Sequence, residues 1–117
     1  MRYLALVLLL AACDARLPER EPLTGGNPAQ GKALIAHFGC GSCHIIPGVT
    51  GPRVYVGRSL DGIAARKYIA GMLPNTHDNL VRWIRDPKGV DPHTPMPVLG
   101  VTERDARDMA AYLLTRR

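Results

Sequence analysis

Cys40-Gly41-Ser42-Cys43-His44 is the stretch on which the reading of this chain turns. It places two thiols three residues apart, within one helical turn, and an imidazole directly after the second. Two chemistries that use such a pair fit poorly. A thioredoxin-like redox motif opens a helix after a strand, and no Val/Ile-rich strand precedes Cys40. A zinc site needs a second pair of ligands, whereas His37, His77 and His93 each stand without a C-x-x-C or H-x₃₋₅-H partner. The third reading is C-x-x-C-H, the attachment sequence of c-type haem. There the thiols of Cys40 and Cys43 add across the two vinyl groups, and His44 becomes the proximal iron ligand. Composition agrees with it. The 117 residues include 4 Tyr, 1 Trp and 1 Phe, a core short of bulk that a large flat cofactor would supply.

Outward from the motif, the length allows one small domain. Gly (12) and Pro (10) stay below the share that marks a disordered chain, so a folded globule is expected. Asn27-Pro28-Ala29-Gln30 gives a helix cap, a proline at the first helical position and a reciprocal glutamine, and the helix runs to about Phe38. Leu34, Ile35 and Phe38 share one of its faces, and Gly31 marks close approach of something bulky, with Tyr112 the candidate. Thr102 with Asp105 opens a second helix, to about Thr115, whose inner face is Ala106, Met109, Ala110 and Leu113. Between them the sequence predicts a short helix over 59–70, broken by Gly71 and Pro74. Another runs over 76–85, with Leu80, Trp83 and Ile84 inward and Pro87 as its stop.

Pro92-His93-Thr94-Pro95-Met96-Pro97 follows, a loop that no helix can cross and that proline rings hold extended. A neutral thioether binds iron weakly and must be held in place, which makes Met96 the candidate distal ligand. Met72, beside a turn, and Met109, on a helix face suited to core, are weaker rivals. His37, His77 and His93 are expected to face solvent.

The third cysteine has a separate reading. Arg2 precedes an apolar run, Tyr3 to Ala12, that is too short to span a bilayer at the about twenty residues required. Leu10-Ala11-Ala12-Cys13 resembles the bacterial lipobox, in which the signal is cut before the cysteine and the cysteine is acylated. The resemblance implies a removed signal peptide, residues 1–12, and a lipidated Cys13. Asp14 resembles the signal for retention in the inner membrane. Residues 13–26 lack periodicity and read as a flexible tether of roughly 20 Å r.m.s. reach. Lys and Arg number 15 against 10 Asp and Glu, scattered and not clustered with aromatics, which argues against a nucleic-acid partner.

Taken together, residues 27–117 resemble the bacterial class I cytochrome c family. The capped helix with Gly31, C-G-S-C-H, Gly51-Pro52, Trp83 before Pro87, T-P-M-P and a last helix with Tyr112 occur in the family's order. The stretch from Leu73 to Pro97 is similar to the cytochrome c domain fused to subunit II of certain haem-copper oxidases, with the expectation of a free-standing version of that module, without the copper-binding domain. The resemblance implies an all-α fold of about four to five helices around one covalent haem, held by Cys40 and Cys43. It implies His44 as proximal ligand with the Pro52 carbonyl accepting its other ring N–H, and Met96 as distal ligand. Trp83 then contacts the distal haem face, and Arg58 and Thr94 meet the propionates. A His/Met pair leaves no open iron position, so the expected role is a one-electron carrier and not an enzyme. It would be lipid-anchored at the periplasmic face of the inner membrane, working in transient contact with, or as part of, a haem-copper terminal oxidase. Alternatives are a cytochrome subunit accepting electrons from a periplasmic dehydrogenase and, if Met96 does not ligate, a five-coordinate haem sensor or peroxidase.

Overall fold

The chain was analysed as a computed structural model that describes residues 16–54 and 56–116. Cys13, and with it the expected lipidation site, lies outside the described residues. Among the described residues, four α-helices are arranged around one core: α1 (Pro28–His37), α2 (His77–Arg85), α3 (Pro87–Val90) and α4 (Glu103–Thr115). Among the described residues, no helix is long and apolar enough to cross a membrane.

The helix starts follow local capping chemistry. Asn27, Thr76 and Thr102 each accept, through the side chain, the backbone N–H three residues on. Asp86 does the same for Gly89 and so starts α3 directly behind α2, a short helix the sequence reading missed. The core holds the expected Ile35 from α1, Leu80 and Ile84 from α2, and Ala106, Met109, Ala110 and Leu113 from α4, with Val81 buried in addition and Trp83 only partly buried against it. At 3% exposure Met109 is a core residue, while Met72 is exposed, which leaves neither side chain in a braced loop.

α1 and α4 form the principal helix contact, and Gly31 sits at their crossing. A Cβ there would fall well inside 3.0 Å of the Asp108 carbonyl, so the bulk against Gly31 is the backbone of Asp108 and Met109 and not Tyr112. Tyr112 instead reaches away, its hydroxyl donating to the Pro47 carbonyl at 2.6 Å. The crossing is pinned at one end by Asn27 N–H on the Asp108 carboxylate, 2.8 Å.

The predicted helix over 59–70 is not there. Gly62 adopts a left-handed conformation (φ 67°), a single 3₁₀ turn follows over Ile63–Ala65, and the chain then turns into a hairpin of β1 (Tyr68–Ile69) and β2 (Leu73–Pro74). The reason is tertiary. Asn75 Nδ2 donates to the carbonyls of Ile63 and Arg66, both at 2.8 Å, and Leu60 N–H is committed to the Ile45 carbonyl at 2.9 Å. The two carbonyls that would have accepted within the helix are thus bonded to a side chain, while the Leu60 bond holds the start of the stretch against Ile45. The hairpin turn puts Ala70 at φ 52° beside Gly71 at φ 69°, a pair of left-handed positions that suits Asn-Gly better than Ala-Gly. Ala70→Asn should stabilise the chain by about 0.5–1 kcal/mol, read as a raised midpoint in urea with an unchanged slope.

Residues 21–26, expected to belong to a tether, are folded onto the domain. Glu21 N–H and the Gly26 carbonyl bond at 2.8 Å, and the Glu21 carboxylate accepts the N–H groups of Thr24 (2.7 Å) and Leu23 (3.1 Å). Burial pushes the Glu21 carboxyl upward, but these bonds and the charge of nearby His77 outweigh it, and its pKa lies below the usual glutamate value. A depressed folded-state pKa means stability that is present above the unfolded value and is lost as pH falls through the folded one. Glu21→Gln should therefore cost about 1 kcal/mol near pH 7, discounted for the water that reaches the site, and the gap from wild type should close below about pH 4. Thermal unfolding of both chains across that range checks it; a gap independent of pH would refute it.

Candidate functional site

Helix α1 ends because Gly39 takes a left-handed conformation (φ 73°), and the same residue launches the motif. Cys40–Ser42 form a 3₁₀ turn, with the N–H groups of Cys43 (3.2 Å) and His44 (3.0 Å) both reaching the Cys40 carbonyl. Both cysteines are free thiols, half-buried on this one turn. Burial, with a smaller contribution from neighbouring Cys43, pushes the Cys40 thiol pKa up. Gly41 is buried where the loop returns, its would-be Cβ 3.1 Å from the Thr50 carbonyl.

His44 is held from outside the motif. Its Nδ1 lies 2.6 Å from the Arg58 carbonyl. A carbonyl only accepts, so Nδ1 carries the proton and Nε2 keeps its lone pair, the tautomer a metal ligand needs. Gly57 lies flat against the ring: a Cβ at that position would stand 2.7 Å from Nδ1 and 2.9 Å from Nε2. The stretch is stapled to the motif by Gly57 N–H on the Cys43 carbonyl (2.8 Å) and Leu60 N–H on the Ile45 carbonyl (2.9 Å).

This corrects the expected partner of His44. The Pro52 carbonyl accepts Val54 N–H at 2.9 Å, and Arg58 supplies the carbonyl to the imidazole. Gly57-Arg58 lies against the imidazole, while Gly51 packs on the motif itself, where a Cβ would collide with the Gly41 carbonyl oxygen. Sequence reading missed it because the acting group is a backbone oxygen; the one available signal was Gly57, a glycine with no turn to explain it. The side chain of Arg58, expected at a propionate, is exposed to solvent.

The second piece is the loop after α3. Thr94, 7% exposed, donates its N–H to the Asp91 carbonyl (3.1 Å) and accepts Met96 N–H on its hydroxyl (3.2 Å). Lys88 Nζ donates to the Thr94 carbonyl. Met96 is half-buried in this braced, proline-flanked segment, as the sequence reading required. Trp83 is half-buried and packs on the core from α2. His37 and His93 are exposed, and His77 is half-buried at the start of α2.

The residues present fit a covalently bound haem. Two free thiols share one turn, the adjacent imidazole has its outer nitrogen committed to a carbonyl, and a thioether stands in a rigid loop. Cys40, Cys43 and His44 would hold the group. When bound, it supplies an iron that cycles between ferric and ferrous states.

Residues 28–117 match the family described as cytochrome c. The fold is similar to that of cytochrome c2 from Paracoccus denitrificans, with a TM-score of 0.57 and 22% identity, covering 75% of this chain and 93% of that one. Cytochrome c2 from Rhodobacter capsulatus is similar to the same degree, with a TM-score of 0.55 and 23% identity over 75% of this chain and 96% of that one. Among curated proteins, the cytochrome c oxidase subunit 2 of Alkalihalophilus pseudofirmus is 34% identical over 85 residues. That match takes in 72% of this chain but spans about a quarter (24%) of the relative.

Proposed function

Since the chain belongs to the cytochrome c family, we propose that it is the membrane-anchored one-electron carrier of a respiratory chain. Its acylated Cys13 would hold it at the periplasmic face of the inner membrane, where it delivers electrons to a haem-copper oxidase. The observation that carries the electron-transfer reading is His44 locked in one tautomer by the Arg58 carbonyl. A proximal ligand fixed this way does not reorganise when the iron changes charge. The protein's own residues do the rest. Cys40 and Cys43 would hold the group, Met96 would offer its thioether to the iron, and the apolar core from α2 and α4 would exclude water. The likeness to an oxidase subunit supports the choice of partner. The test mixes the reduced, haem-loaded chain with membranes that hold a haem-copper oxidase. Cyanide-sensitive reoxidation is expected, slowed about tenfold or more in Cys13→Ala, which leaves the membrane and loses the local concentration that tethering gives. Reoxidation no faster than in oxidase-free membranes would refute the partner.

Met96 as distal ligand makes its own prediction. The reduced wild type should not bind CO until denatured, and the oxidised form should show the red band of an iron–thioether bond. Met96→Ala should lose that band and bind CO. Binding of CO by the native wild type would instead favour a five-coordinate sensor or peroxidase.

A further inference from the structure

We propose that the face built by residues 17–24 rests on the lipid surface, so that the carrier is seated on the bilayer and not swung from it. This rests on the reading of Cys13 as acylated. The segment before α1 is a folded strap. Leu17 packs against the core, and Arg20 donates to the Gly25 carbonyl at 3.0 Å. Gly25 N–H bonds to the Glu21 carbonyl at 2.8 Å. The Thr24 hydroxyl accepts Gly26 N–H at 3.1 Å. Gly26 is buried so tightly on α4 that a Cβ would collide with the Arg107 carbonyl. The strap is therefore continuous with the domain from Leu17 onward.

What remains for a leash is the step from Cys13 to Leu17, about 15 Å at full stretch. A domain tied that closely to acyl chains presents the tied face to the headgroups. The outer side of the strap suits that contact: Pro18 and Pro22 are exposed, and Leu23 is 57% exposed at the turn, an apolar side chain with no partner demand of its own. The strap enters α1 at its N-terminal end, while Cys40–His44 follow its C-terminal end, about 15 Å away along the helix axis. A bilayer against the strap thus leaves the thiol–imidazole end open to a redox partner.

The experiment uses the exported, haem-loaded chain in vesicles of phosphatidylethanolamine and phosphatidylglycerol, doped with a lipid that carries a photoreactive headgroup. Adducts should fall on residues 17–24 about fivefold more often per residue than on residues 45–60, and Leu23→Asp, a change at an exposed position, should remove that excess. In soluble Cys13→Ala chain, amide exchange at Glu21, Thr24, Gly25 and Gly26 should be slowed about tenfold or more relative to free peptide. Evenly spread adducts on a chain that still sediments with vesicles overturn the seating and leave the anchor standing. Failure to sediment overturns the acylation itself, and with it the proposal. Exchange at free-peptide rates overturns the strap, whatever the state of Cys13.

Discussion

Gly31→Ala is expected to lower the stability of the chain by about 3 kcal/mol, which for a domain of this size is a fall in melting temperature of about 10 °C or more. The sign is the informative part. Gly31 is inside α1, where alanine is intrinsically the better residue by about 1 kcal/mol, so a freely exposed position would gain from the change. Here the added methyl meets the backbone of Asp108 and Met109, groups that cannot rotate aside as a side chain can. Relief requires α1 and α4 to part, and that loosens Ile35, Ala110 and Leu113 together. Calorimetry of the variant decides between the two effects. An unchanged or raised midpoint would mean that the helices do not touch at Gly31.

Gly57→Ala is expected to cut the yield of haem-loaded, low-spin chain by about tenfold or more, the range seen when the partner of a metal-ligating imidazole is lost. The new methyl would occupy space taken by the ring of His44, turning the imidazole off the Arg58 carbonyl. Arg58→Ala is the companion measurement. It removes the guanidinium but keeps the carbonyl, and its yield and spectrum should match wild type. If the Arg58 variant fails while the Gly57 variant loads normally, the side chain holds the site and the carbonyl does not.

These two glycines also show which parts of the molecule were legible beforehand. Helix starts at Asn27, Thr76 and Thr102 were readable because a cap is a bond between residues three apart, both visible in one glance at the sequence. C-x-x-C-H was readable for the same reason, as was the proline-braced loop around Met96. Gly31 announced a close approach without naming what approached, since the answer was backbone from the far end of the chain. The absence of a helix over 59–70 is only partly local: Gly62, inside the stretch, takes a left-handed conformation, and the carbonyls of Ile63 and Arg66 are taken by Asn75. The Pro52 carbonyl was expected from the family resemblance, yet the carbonyl that reaches His44 comes from Arg58, where side-chain identity carries no information about backbone reach. The strap was misread because its prolines and charges look like linker, while four of the bonds that fold it meet at one residue, Glu21, two on its carboxylate and two on its backbone.

The pinning of Asn27 to Asp108 bridges 81 positions of sequence, and that of Tyr112 to Pro47 bridges 65. Closing loops of that span is the slow, late event in forming such a domain. A chain delivered N-terminus first has its Cys40–His44 turn in the open well before the residues of α4 arrive to shut the fold. The long-range architecture therefore gives assembly an order along the chain: the Cys40–His44 turn is complete in sequence before the thirteen-residue helix α4, whose Asp108 and Tyr112 make the closing bonds.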